Sequence, residues 1–364
     1  MLMRIITLIH RWVGALMGIV LVVLGLSGAV LVHKDAWTSV PHKYDAVERN
    51  AQHIGTFVTH VMNAEGKSPQ MIVFASPSLG VNRLAHADGR GEYADQTGHV
   101  LVSWTSDWSR PELWLVTLHR YLFMRPQGET YVGVAGLIGI LMVITGSVLW
   151  WRTRKTFEFR LWPKRFSRPA IIRHHRDLGI IIAPLLLLSF MTGVLMVFRP
   201  LGGIAFGPGT SAALTHSLKP PVYPHVKMGR DLNWVSMMET AQQQFPEAEF
   251  RSLALPRKES GLITLRMRQP DEWLPNGRTM LWFAADTGHL IEARDARIMS
   301  LQARLFNDVF PVHAAKIGGL FYRIVMTLSG VGLVLLGVFA IWTFWTAGNK
   351  KEAKKAKAQT GLMG

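Results

Sequence analysis

The sequence predicts a membrane protein: a four-helix transmembrane bundle carrying two α+β modules outside the bilayer, in an internally duplicated chain. Three observations predict it. Four segments of about 20 or more residues lack any charged side chain, and at about 1.5 Å per residue each spans roughly 30 Å of hydrocarbon. The connections between them run long, short, long. Two strings recur at matched positions: His-Arg at the start of the first and third apolar runs, and Thr-Gly-His in both long loops.

The 364 residues are 49% hydrophobic and 18% charged, between a soluble domain and an all-membrane bundle. The first apolar run, 12–32, exceeds a secretory h-region and shows no cleavage site, so it reads as a retained helix within 1–32. Residues 33–118 read as the first module. A helix is expected over 46–64, a strand over 71–75, and a hairpin over 93–101 that turns at Thr97-Gly98-His99, where Gly supplies positive φ. A short amphipathic helix over 111–123 carries His119-Arg120, and Pro126 and Gly128 end it. The second span, 131–151, completes segment 119–151. A basic loop, 152–177, leads to the third span, 178–198. The second module, 199–312, repeats the first, with a helix over 232–245, a strand over 262–267 and a hairpin over 283–291 turning at Thr287-Gly288-His289. Residues 299–311 lead to His313 and Gly318-Gly319, and the fourth span, 324–345, completes segment 313–345. A basic tail occupies 346–364.

Charge orients these spans. The net charge is +16. Residues 152–177 hold nine Lys/Arg against two acids, the tail holds five Lys against one Glu, and Arg4 and Arg11 stand at the start. The two long loops sum to only −1 and +3. By the positive-inside rule both termini and the short loop are cytoplasmic, and the long loops are periplasmic in a bacterial inner membrane. The basic stretches therefore require no nucleic acid, and Lys350 to Lys357 suit an anionic lipid surface. The chain has no cysteine, which excludes disulfides, thiolate metal sites, Fe–S clusters and covalent c-type haem.

The histidines carry the chemistry. His10-Arg11 and His175-Arg176 open the first and third runs, and each is followed 17 residues later by a hydroxyl-glycine pair, Ser27-Gly28 and Thr192-Gly193. His119 and His313 stand before the second and fourth spans, 31 and 29 residues from Trp150 and Trp342. Each pair has the makings of a bis-imidazole haem site between helices: His10 with His175 on the cytoplasmic side, His119 with His313 on the outer side. The reading is two haem b as cofactors, with those four histidines as axial ligands to haem iron. Register favours His175 over its neighbour His174, which stays an alternative, and His33 is a spare candidate. Arg11, Arg120, Arg176 and Arg323 are candidates for propionates, or else mark helix ends at the headgroups. Gly14, Gly18, Gly25 and Gly28, with Gly133, Gly136 and Gly139, admit either a macrocycle or close helix packing. His99 and His289 are a weaker metal pair, better read as turn residues. Trp104, Trp108, Trp273 and Trp282 stand for core packing or ligand contact. The sequence contains no nucleophilic triad, P-loop, dinucleotide fingerprint or H-E-x-x-H motif. Electrons therefore come from a membrane quinol or a reductase partner.

These motifs resemble the PepSY-associated transmembrane family, the iron-regulated membrane proteins. The resemblance rests on His10-Arg11-Trp12-x-Gly14, Leu118-His119-Arg120, His175-Arg176-x-Leu178-Gly179, Val312-His313 with Gly318-Gly319, and the paired Thr-Gly-His hairpins of PepSY modules, and it covers nearly the whole chain. It implies a di-haem, haem-dependent ferric-siderophore reductase of the FoxB type, an enzyme with no residue acting covalently. Such an enzyme transfers an electron from the haem edge to a ferric siderophore, a hydroxamate, and releases Fe(II). The rival readings are electron transfer to another periplasmic acceptor, a small-solute or metal permease, and a non-enzymatic PepSY scaffold or inhibitor.

Overall fold

The computed structural model describes residues 1–360 except 65–67, 161 and 257–259, and describes side chains as far as residue 346. The reading of Lys350 to Lys357 as a lipid-facing surface lies outside the described side chains. The chain divides into two compact units: Met1–His33, Leu115–Phe198 and His313–Gly364 form the first, Lys34–Trp114 and Arg199–Val312 the second.

The elements follow in chain order: α1 (Leu2–Leu31), α2 (Lys34–Trp37), α3 (Ala51–Asn63), β1 (Met71–Val73), β2 (Asn82–Ala85), β3 (Gly91–Ala94), β4 (Val100–Trp104), α4 (Pro111–Tyr121), α5 (Gly128–Thr153), α6 (Arg168–Val197), α7 (Gly202–Phe206), α8 (Thr210–Leu218), α9 (Trp234–Gln244), β5 (Glu249–Ala254), β6 (Leu262–Arg268), β7 (Thr279–Ala284), β8 (Leu290–Arg294), α10 (Leu301–Asn307), α11 (Val309–His313) and α12 (Gly319–Thr360).

Among the described residues four helical segments are long and apolar enough to cross a membrane: Leu2–Leu31, Gly128–Thr156, Arg168–Val197 and Gly319–Thr346. In the first unit α1 packs along α12 and α5, and α6 along α5 and α12, closing a ring of four. The helices extend past the expected spans. α6 starts at Arg168 rather than 178, so the last ten residues of the expected basic loop are helical, and α1 starts at Leu2 rather than 12. A charge-free run marks what hydrocarbon tolerates, whereas Arg and His propagate a helix freely into the headgroup region. Pro169 sits in the first turn of α6, where its missing N–H costs nothing.

Glycine sets the closest helix contacts. A Cβ on Gly25 would lie 3.0 Å from the Gly330 carbonyl, one on Gly330 2.7 Å from the Gly25 carbonyl, and one on Gly18 3.0 Å from Ile341. Gly133, Gly136 and Gly139 face Val197, Val194 and Phe190 of α6 in the same way. These glycines serve helix packing. Gly14 has only Met142 near it, at 3.9 Å.

The second unit departs from the expected pair of separate modules. Its strands form one antiparallel eight-stranded sheet in the order β4-β3-β2-β1-β5-β6-β7-β8. β1 and β5 join the halves, with Ile72 opposite Leu253. α3 and α9 cover one face, and Phe57, Val58, Met238, Leu253, Ile263, Leu265 and Phe283 make the core beneath them. Asn50 and Asn233 cap these helices by accepting backbone N–H groups, which fixes starts at Ala51 and Trp234 instead of 46 and 232. The strand order also corrects a correspondence. The runs 71–75 and 262–267 hold different places in the sheet: β1 pairs with β2 and β5 at its centre, whereas β6 lies one strand further out, and neither β2 nor β5 was expected. β2 carries Asn82 and Arg83, and β5 carries Glu249 and Arg251, and these polar residues break the alternation that marks a strand.

Both Thr-Gly-His turns form, with Gly98 and Gly288 at φ 107° and 74°. Asp95 Oδ1 accepts from the backbone N–H groups of Thr97, Gly98 and His99. Burial pushes the Asp95 carboxyl up, but the Thr97 hydroxyl, which donates to Oδ1 at 2.7 Å, and these backbone bonds more than offset it and hold it at about 2. His99 and His289 sit on the β3–β4 and β7–β8 turns at the two edges of the sheet, roughly 29 Å apart at about 4.8 Å per strand, so they do not form a metal pair. Trp104 and Trp282 are core residues, while Trp108 and Trp273 are exposed.

Candidate functional site

The first unit brings the four histidines together in the expected couples. His10, three turns into α1, meets His175 of α6 with ring centroids 6.3 Å apart and planes at 78°. His119, in the last turn of α4, meets His313, the last residue of α11, at 6.2 Å and 48°. Two imidazoles opposed across one metal, each bonded at about 2 Å, place their centroids about 6 Å apart. Both couples have that spacing. His174 does not compete: it is buried, and its ring meets Phe339 at 5.7 Å. One residue turns a helix by about 100°, so of the neighbours only His175 faces His10.

The outer halves of the rings reveal their tautomers. His10 Nδ1 lies 2.9 Å from Thr145 Oγ1, His119 Nδ1 2.9 Å from Ser27 Oγ, and His313 Nδ1 3.0 Å from Thr192 Oγ1. Each hydroxyl already donates to the carbonyl four residues back, Thr145 to Leu141, Ser27 to Val23 and Thr192 to Leu188. With its proton committed, each hydroxyl accepts from Nδ1–H. The Nε2 lone pair is then free toward the opposing ring, the tautomer a metal ligand requires.

Glycine completes each cradle. A Cβ on Gly28 would lie 3.1 Å from His119 Cε1, one on Gly146 3.1 Å from His10 Cε1, and one on Gly193 3.4 Å from His313 Cε1. The hydroxyl-glycine pairs Ser27-Gly28 and Thr192-Gly193 thus serve the histidines at the other end of the bundle from His10 and His175. Ser27 is 17 residues beyond His10, about 25 Å along the helix. Thr145-Gly146 is a third such pair that sequence reasoning missed, although its Thr-Gly string is legible. The fourth is absent. The register that sets His119 on His313 also sets Trp151 on Trp345, each 32 residues on, which replaces the looser 31 and 29 of Trp150 and Trp342. In that register Phe339 and Ala340 stand where Thr145 and Gly146 do, and the buried His175 Nδ1 has no side-chain partner, only the Leu336 backbone beside the ring.

The arginines differ. Arg176 forks onto Asp177 at 2.7 and 2.9 Å and donates twice to Thr156, just past the end of α5, so it ties α6 to that segment instead of standing free for a propionate. Arg11 lies over Phe344, and Arg120 pairs with Glu129 at 3.6 Å. Arg323 keeps a buried Nε without a partner. His33 is bonded through Nε2 to Thr327, 2.8 Å away, and joins neither couple. Among the described residues no cluster of three or more His, Asp or Glu is placed to hold a metal ion. The donor set is two imidazoles per site, which suits a macrocycle that supplies the other four ligands.

A family model, the PepSY-associated TM region, matches residues 7–347, nearly the whole chain. No curated protein matches it.

Proposed function

We propose that this chain, which belongs to the PepSY-associated TM family, is an inner-membrane di-haem b reductase that delivers electrons to ferric siderophore on the periplasmic side, with both termini cytoplasmic. The observation that carries the reading is the matched geometry of two histidine couples, each at the spacing of bis-imidazole ligation and three of the four rings fixed in the ligating tautomer. His10 with His175 would hold one haem, and His119 with His313 the other. A bound haem supplies reversible one-electron storage at an iron with no open position. The chain's residues do the rest. Thr145, Ser27 and Thr192 orient and polarise the imidazoles. Gly146, Gly28 and Gly193 leave the ring edges room. The apolar helices exclude water between the two levels, and Arg323 offers an unspent donor to an anionic substituent. The substrate is a hydroxamate complex, whose hard oxygens hold Fe(III) far better than Fe(II), so one added electron releases the metal. The donor is a membrane quinol or a reductase partner, and the two outer segments are read as repeats of one PepSY-like module.

The absorption spectrum of purified protein tests this. A sharp Soret band with split α/β bands after dithionite is expected, and His119→Ala and His175→Ala should each remove about half of the haem. A protein that stays colourless when expressed with added haem overturns the reading, and loss of all haem from either variant overturns the two-site form. Reduced protein that reoxidises with no ferric hydroxamate but does so with another acceptor overturns the assigned substrate.

A further inference from the structure

We infer that the connection between α5 and α6 is a lipid-binding segment that lies in the headgroup layer and takes anionic phospholipid, independent of the haem reading. The chain leaves α5 at Thr153 and enters α6 at Arg168, and both helices are of membrane-crossing length. Between them stand Phe159, Trp162 and Phe166, which are 65%, 56% and 70% exposed. Rings of this size normally bury most of their surface. The segment that presents them is fastened. Arg176 of α6 donates to the Thr156 hydroxyl and carbonyl, both at 2.8 Å, and Asp177 accepts from the Glu158 backbone N–H at 3.3 Å. These ties fix residues 156–158 against α6, while the rings beyond them stay uncovered. Trp162 and Phe166 meet edge-on, their centroids 6.2 Å apart.

Charge and pattern select the occupant. From Arg152 to Arg168 seven Lys/Arg stand against one acid, Glu158, whose carboxylate Arg160 already holds at 2.8 Å. Lys155, Lys164 and Arg165 are exposed like the rings. A protein partner fits this surface poorly, because the centre of a protein interface is depleted in Lys, and here Arg160, Lys164 and Arg165 alternate with the aromatics. A membrane surface takes such an alternation: rings lie where acyl chains meet headgroups, and Lys and Arg lie among the phosphates. Each cation near an anionic leaflet adds to the attraction. The segment also continues a belt. Trp12, Trp151 and Trp345, on α1, α5 and α12 at the end of the bundle that holds His10, are 52%, 61% and 60% exposed. The ligand is therefore the phosphodiester of an anionic lipid, with the rings seated beside it.

The chain has no cysteine, so a single dye can be placed by Ser167→Cys, at a side chain that makes no capping bond. The labelled full-length protein is reconstituted in nanodiscs of phosphatidylcholine with phosphatidylglycerol. A spin label high on the lipid acyl chain is expected to quench the dye, and acrylamide in the water should quench it less than it quenches the dye on free cysteine. Spin-labelled phosphatidylglycerol should quench more than spin-labelled phosphatidylcholine, and the difference should shrink as salt rises. Lys164→Gln with Arg165→Gln, both at exposed positions, should bring the two lipids to equal quenching. Trp162→Ser with Phe166→Ser should weaken quenching by both. Acrylamide quenching equal to that of the free adduct overturns the proposal. So does equal quenching by the two lipids before any change at 164 and 165, or a lipid preference that survives that change.

Discussion

Thr145, Ser27 and Thr192 do the same thing in three places, each set behind one imidazole, and His175 has no such hydroxyl. A hydroxyl that accepts from Nδ1–H gives the imidazole anionic character, which makes Nε2 the better donor and favours ferric iron. Under the proposed function, Thr145→Val should therefore raise the midpoint potential of the His10–His175 site and weaken haem retention there about tenfold or more. Ser27→Ala should raise the potential of the His119–His313 site in the same way. A redox titration followed in the visible region reads both, and unchanged potentials in both variants would refute the role given to these hydroxyls. Ser27-Gly28 and Thr192-Gly193 were visible as repeated strings. Their partners were not, because a hydroxyl reaches a ring on a different helix only after α1 and α6 have packed against their neighbours.

At the level of the element, helices were more legible than strands. Four charge-free runs announced the spans, since hydrocarbon imposes length and composition together. Their ends were displaced because lipid restricts charge and not helicity. Glycine has a sharper meaning than its spacing suggested: in α1, Gly25 meets the α12 backbone while Gly14 meets almost nothing. Gly330→Leu drives a side chain into the Gly25 carbonyl and Ala29, neither able to yield, and should destabilise the bundle by about 1–3 kcal/mol. Gly14→Ala should be nearly silent. Thermal unfolding in detergent compares the two, and similar melting points would contradict the close α1–α12 packing. Strands β2 and β5 escaped detection because Asn82, Arg83, Glu249 and Arg251 interrupt their alternation, and burial of such residues depends on bulges and partners that no local pattern records.

Across the whole molecule, the sheet-bearing unit stores a pH dependence. Burial pushes the Glu272 carboxyl up to about 7, only partly countered by N–H donors from Gln269 and Arg278. The folded state then holds a proton between about pH 4.5 and 7 that the unfolded chain has lost. With more protons bound when folded, stability is expected to fall as pH rises through that window and to level off above it. Asp95 works in the opposite direction but lower, its contribution present above its unfolded value near 4 and lost as pH drops to about 2. Unfolding of the protein from pH 4.5 to 7 should show the decline, and Glu272→Gln should flatten it. A slope unaffected by Glu272→Gln would place its origin elsewhere.

The sequence by itself determined the spans, the two long connections with their Thr-Gly-His turns, and the four histidines in two couples. All of these are periodic or compositional, and lipid and turn geometry act on them locally. Tertiary structure decided that the two outer segments share one sheet through β1 and β5, that His175 rather than His174 faces His10, and that three imidazoles have a hydroxyl behind them while the fourth, His175, has none. Those outcomes depend on which atoms of distant segments arrive within hydrogen-bonding reach, a property of packing that no stretch of chain carries alone.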